Sequence, residues 1–141
     1  MTEWQSGGAA AAKAPIEKRK ATHFKDLLVW QKGMDLAERV YRLTEKFPGD
    51  ERFGLVSQMR RAAVSVPSNI AEGQARQGTR EFLQFISHAM GSLAELETQV
   101  VLSQRLGRCT AADSIEIHRL IDELDRMLKA LRRSLAKGLP D

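Results

Sequence analysis

A single cysteine, Cys109, leaves this chain of 141 residues without an internal disulfide or a cysteine-based zinc site. Its three histidines, His23, His88 and His118, exclude more. None has a glutamate three residues before it, and no His-Glu-x-x-His occurs, so di-iron and zincin ligand sets are both missing. No metal and no cofactor is expected. There is no glycine-rich phosphate loop and no Ser-His-Asp logic, so the chain is expected not to be an enzyme. Cys109 stands alone just before a helix start, with no histidine forced near it by the sequence, and reads as incidental. No apolar run approaches the ~20 residues that span a membrane. The first residues also lack the order of a secretory signal, which is charge, apolar core and cleavage site. A cytoplasmic protein with no membrane partner is expected.

Charge of one sign is scarce as well. The net charge is +4, and residues 1–23, with four basic and two acidic side chains, hold half of that excess. Their Gly, Ala, Lys and Arg content with Pro15 reads as a flexible basic tail, leaving 24–138 as one domain. The small surplus on the domain permits nucleic acid as a partner without demanding it.

What is present is helical periodicity, with no strand signal. In the first segment Leu27, Trp30, Met34, Ala37, Tyr41 and Thr44 form one stripe, and Leu36, Val40, Leu43 and Phe47 a second. A helix with two apolar faces is either central or covered by another chain, and the second option motivates a homo-oligomer. The second segment, from about Asp50 to Gly73, carries Leu55, Met59, Ala62, Val66, Ile70 and Gly73 in phase across Pro67, which predicts a kinked but continuous helix, with Gly73 to Gly78 as the turn that follows. Thr79 is the expected cap of the third, whose stripe of Phe82, Ile86, Ala89, Leu93, Leu96, Val100 and Ser103 alternates steps of four and three. Thr110 and Asp113 form a capping-box start to the fourth, lined by Ile117, Ile121, Leu124, Leu128, Leu131 and Leu135. Short connections between four such helices imply an all-α, antiparallel up-down-up-down bundle.

A second seam runs along the second helix: Gln58, Arg61, Ser65, Asn69, Glu72 and Arg76. Folding the third helix back at a turn near residue 76 pairs Gln58 with Glu95, Ser65 with His88, Asn69 with Gln84 and Glu72 with Glu81, with Arg61 within one turn of Glu95. Such a row is expected to fix register between helices or between subunits, because half-buried polar groups must find partners. The plainer alternative is a solvated face.

Basic residues offer another candidate. Arg126, Lys129, Arg133 and Lys137 lie opposite the leucines of the fourth helix, joined by Arg132, and Arg60 and Arg61 are adjacent on the second. Copies of Arg60, Arg61, Lys129 and Arg133 lining a shared surface would contact RNA or DNA through the phosphate backbone. Against this, basic residues in the last turns of a helix are favoured by its dipole, and Glu116, Asp122, Glu123 and Asp125 offset the same helix. No aromatic interleaves with these cations, so no stacking platform is visible. SHAMGSLAEL, residues 87–96, superficially resembles the site of histidine-phosphotransfer bundles, with His88 in the central role. Those sites place Lys then Gly after the histidine. Here Gly91 is one residue early and the Lys is missing.

Three stretches now stand together: FKDLLVWQKGMDLAERVYRLTEKFP, FGLVSQMRRAAVSVPSNIAEG and REFLQFISHAMGSLAELETQV. They resemble the 23S rRNA-intervening-sequence proteins over about residues 24–136, and only the N-terminal tail is extra. The resemblance implies a small antiparallel bundle that assembles as a ring-shaped homopentamer. The family name reflects reading frames inside inserts of rRNA genes, which is a location and not an activity. A related accessory protein of diversity-generating retroelements has a similar pentameric bundle that binds nucleic acid and its reverse transcriptase. What the resemblance implies is therefore an assembly or adaptor module with a protein partner, or a nucleic-acid-binding ring.

Overall fold

The computed structural model describes residues 23–140. Four long helices, α1 (Leu28–Thr44), α2 (Leu55–Ala75), α3 (Thr79–Arg105) and α4 (Ala111–Lys137), follow a 3-10 turn at Phe24–Asp26. A second 3-10 turn, Gly49–Glu51, lies between α1 and α2. Among the described residues there is no strand, and no helix is long and apolar enough to cross a membrane. The expected tail, 1–23, lies outside the described residues except for His23.

Contacts between side chains set the topology. Gly33 meets Pro67 and Thr44 meets Arg60, so α1 and α2 run antiparallel. Ser65 meets Ser92 and Met59 meets Ser103, which does the same for α2 and α3. His118 bonds Gln104 across α3 and α4, and Lys32 pairs with Glu123 across α1 and α4. The result is the expected all-α up-down-up-down bundle, in which every helix packs against its two sequence neighbours around the square.

The core is built from the expected stripes. Met59, Ala62, Val66 and Ile70 of α2, Ile86, Ala89, Leu93, Leu96 and Val100 of α3, and Ile117, Ile121, Leu124 and Leu128 of α4 are all buried. Truncating one such leucine removes apolar area and leaves a cavity, at about 2–5 kcal/mol. Both stripes of α1 are also buried within the single chain: Trp30 and Ala37 from one, Leu36, Val40, Leu43 and Phe47 from the other. α1 is therefore the central kind of two-faced helix, covered by α2 and α4, and it leaves no surplus apolar face for a second copy. Of the two stripes only Tyr41 stays substantially open, at 41% exposure, with the Arg60 guanidinium 4.4 Å above its ring, and Leu28, outside both stripes, is exposed at the start of the helix.

Helix ends follow the local chemistry in part. The Thr110 hydroxyl accepts from the Asp113 N–H at 3.1 Å and the Asp113 carboxylate accepts from the Thr110 N–H at 3.0 Å, a complete capping box. α2 passes through Pro67 as one helix, although the proline lacks the N–H that would reach the Ala63 carbonyl. Its ring packs on Gly33, where an added Cβ would lie 3.3 Å from the Pro67 Cβ, so glycine lets α1 come close at this point. Three boundaries differ from expectation. α2 begins at Leu55 and not near Asp50, because 49–51 is taken by the 3-10 turn. The N-cap position of α3 is Gly78, with Thr79 already helical. Gly73, expected to open the turn, is buried inside the last turn of α2. The first and third connections are joined by Arg108, whose Nε donates to Glu51 Oε2 at 2.7 Å.

Candidate interaction surfaces

Half of the polar seam is a real contact between α2 and α3. Ser65 and Ser92 share a hydroxyl hydrogen bond of 2.8 Å, and Asn69 Nδ2 donates to the Ser65 hydroxyl (2.9 Å) and carbonyl (2.8 Å). Arg76 lies over the Phe85 ring at 5.3 Å. The partner of Ser65 is thus Ser92 and not His88, one helical turn further along α3. Side chains lean toward the N-terminus of their own helix, so in an antiparallel pair they meet beyond the level at which the backbones match. The other expected pairs do not form. The side chains of Gln58, Arg61, Glu72 and Glu95 are exposed, without a hydrogen bond or ion pair among the described residues. Gln99, which the sequence reading passed over, is 6% exposed, and its Oε1 has no partner among the described residues.

The basic candidates do not gather in one chain. Arg60 turns inward: its Nε donates to Thr44 Oγ1 at 2.9 Å and its Nη2 to the Tyr41 carbonyl at 3.3 Å, so it ties α2 to α1. Lys129 is held by Asp125 at 2.7 Å, while Arg61 and Arg133 are open. α2 and α4 stand at opposite corners of the square. Arg61 lies near the level of Ser103 and Lys129 well below that of His118, which at 1.5 Å per residue separates them by roughly 15 Å along the axis. His88 is exposed, edge-on to Phe85 at 5.8 Å, on the same side of α3 as Ser92. Cys109 is half-buried, and burial, then the Asp113 carboxylate, pushes its thiol above its ordinary pKa, which is the opposite of an activated nucleophile. Among the described residues no group of three or more His, Cys, Asp or Glu is placed to hold a metal.

A different asymmetry divides the surface. α4 carries eleven Asp, Glu, Lys and Arg in 27 residues and α1 five in 17. α2 carries three in 21 and α3 five in 27, and no lysine occurs between Lys46 and Lys129. Every helix-borne ion pair among the described residues lies on α1 and α4: Lys32–Glu123, Arg42–Glu38, Arg119–Glu116 and Lys129–Asp125. The outward stripe of α3 instead reads Ser87, Gly91, Ala94, Thr98 and Val101, all exposed and uncharged. α2 continues this surface with Val64, Ser68 and Ala75, all exposed, beside Arg61. Val64 and Val101 are 42% and 38% exposed, and the Thr98 hydroxyl donates to the Ala94 carbonyl at 2.9 Å, which uses up its one donor within the helix. Gly91 stands in the middle of a helix where glycine costs about 0.5–1 kcal/mol relative to alanine. An added Cβ there would meet nothing within 4 Å, so no packing inside the chain accounts for it. The signal for this stripe lay in the sequence as a second series of three- and four-residue steps on α3 that avoids charge.

Comparison with known proteins agrees with this architecture. A crystal structure at 1.70 Å of a protein of unknown function, from the S23 ribosomal protein family of Bacteroides thetaiotaomicron, superposes with a TM-score of 0.67 at 21% identity, covering 74% of this chain and 98% of that one. At that identity the likeness speaks for the fold. No curated protein matches. Residues 25–130 match the profile of the 23S rRNA-intervening sequence proteins, which spans all of α1 to α3 and most of α4. The chain belongs to the 23S rRNA-intervening sequence protein family.

Proposed function

We propose that this protein is a non-enzymatic assembly module of the cytoplasm: a helical bundle that associates with copies of itself and presents the resulting surface to a protein partner. The family resemblance implies five copies in a ring. The observation that carries self-association is the lateral asymmetry of the surface. Two helices are laced with ion pairs suited to water, while the other two carry no ion pair among the described residues and expose an uncharged surface that includes Val64, Gly91, Ala94 and Val101. Native mass by light scattering tests this. A particle of several chains is expected, and a mass of 15.8 kDa at every concentration would overturn it.

A second reading, backbone contact with RNA or DNA, is favoured by Arg126, Arg132, Arg133 and Lys137, which are exposed on α4 without an ion pair among the described residues. In a ring their copies would repeat and their charges add. Binding to RNA that weakens steeply with salt, and is lost when Arg132 and Arg133 are changed to Glu, is the expected result on this reading. No change in the absorbance ratio of the particle on mixing with RNA at low salt would end it.

A further inference from the structure

We infer that the end of the bundle where α2 turns into α3 is a site for the phosphate backbone of a nucleic-acid duplex. This rests on the second reading above and names its site and ligand. Antiparallel packing brings three parts of the chain to that end: the entry to α1, the 76–78 turn and the last turns of α4. Lys25, Arg76, Arg80, Arg132, Arg133 and Lys137 are exposed there, and none has an ion pair among the described residues. Outside the Lys129–Asp125 pair, the described carboxylates at this end are Asp26, Glu72 and Glu81, so cations lead by six to three. The opposite end differs. Outside the Arg108–Glu51 clip, Lys46, Arg52 and Arg105 stand against Glu45, Asp50 and Asp113 in even balance. The positive surplus of the domain is therefore axial. Residues 16–20, IEKRK, precede His23 in sequence and bring further cations to the chain's entry into this same end.

Two features select a duplex over a single strand. The first is the lack of an open ring. Phe24, Phe82 and Phe85 are the aromatic side chains closest to these cations, all are partly buried, and Arg76 already lies over Phe85. A single strand gains much of its affinity by stacking unpaired bases on exposed aromatics, so here only its phosphates would contribute. The second is width. Helix axes about 8–10 Å apart make the end of a four-helix square about 20 Å across. That distance spans both rows of phosphates that border a groove about 12 Å wide, whereas a single strand offers one row. The duplex also carries the denser charge, about one per 1.7 Å of its axis.

The test is fluorescence anisotropy of the full chain with a labelled RNA duplex, the DNA duplex of the same sequence, and one strand alone. At 0.1 M salt the duplexes are expected to bind about tenfold tighter than the strand, with affinity falling as about the fifth power of salt for six phosphate contacts. The tighter of the two duplexes identifies the source of the phosphates. Changing Lys25→Gln together with Arg80→Gln, both away from α4, should weaken duplex binding about 50-fold and lower the salt exponent by about 2. Arg52→Gln together with Arg105→Gln, at the opposite end, should leave it as it was. All four sites are exposed, and unchanged helical circular dichroism verifies the fold of each variant. A strand bound as tightly as either duplex would overturn the inference, and so would equal weakening by the two double variants. Full binding by Lys25→Gln with Arg80→Gln, alongside loss on changing Arg132 and Arg133 to Glu, would overturn this placement and leave the second reading standing on α4 alone. No binding of any probe at low salt would remove both.

Discussion

The α2–α3 half of the molecule and the α1–α4 half solve the same packing problem with opposite side chains. Between α2 and α3 the contact is short-range: Ser65 against Ser92, and Gly73 against Phe85 and Phe82. Between α1 and α4 a long bridge crosses the seam, Lys32 to Glu123 at 3.2 Å, and both helices carry further ion pairs of their own. Small residues bring backbones close and leave little for solvent to touch. Long charged residues cover a seam with their stems and keep their heads in water. The contrast teaches that an uncharged outer surface and a tight inner contact can belong to the same pair of helices.

The largest expected break of that comparison is Gly73→Val. An added Cβ would sit 2.7 Å from the Phe85 Cβ and 3.0 Å from Phe82 Cδ1, so α2 and α3 must separate. A loss of about 1–3 kcal/mol is expected by chemical denaturation. The exposed Ala130→Val on α4 should stay within about 0.5 kcal/mol, and equal losses would show that the α2–α3 contact is not the tighter one.

A smaller effect sharpens the α4 side. Thr110→Ala removes the hydroxyl that caps α4 and should cost about 1 kcal/mol. The Thr110 backbone N–H and hydroxyl hold the Asp113 carboxyl below its ordinary pKa. A carboxylate depressed in the folded state stabilises above its unfolded pKa, and that contribution disappears as pH falls through the folded value. Melting temperature should therefore drop more steeply between pH 5 and pH 2 for the wild type than for Asp113→Asn (range about as for any aspartate). Parallel curves would show the box to be idle.

The smallest effect concerns the bridge itself. Both partners of Lys32–Glu123 are about one-third exposed. A double-mutant cycle to Met and Gln should give about 0.2–1 kcal/mol of coupling, fading as salt rises. Among the described residues no ion pair joins α2 and α3, so a salt-sensitive α2–α3 contact would contradict this division between the two halves.

Much of this was legible from residue order. The alternating steps of Ile86, Ala89, Leu93, Leu96 and Val100 place the α3 core without any tertiary knowledge, and Thr110 with Asp113 marks the α4 start locally. What was not legible depends on partners distant in sequence. Gly73 reads the same whether it stops a helix or lets two helices touch. The inward turn of Arg60 is decided by Thr44 and the Tyr41 carbonyl on another helix, and the two-faced α1 by whether one chain or two supplies its cover. Gln99 sits beside the core stripe, where its burial follows only from how close α2 approaches. The α3 outer stripe was visible as letters, but its meaning needed Gly91 to be shown free of crowding within its own chain.

The clip between Arg108 and Glu51 ties two connections that lie far apart along the chain but close the same end of the bundle. Each helical hairpin is thus pinned at that rim, and loosening should begin at the far rim, where 132–134 and 136–138 of α4 and its end are already bare to water. Amide hydrogens there should exchange with deuterium first, and a protease should trim those last turns while the pinned end stays whole.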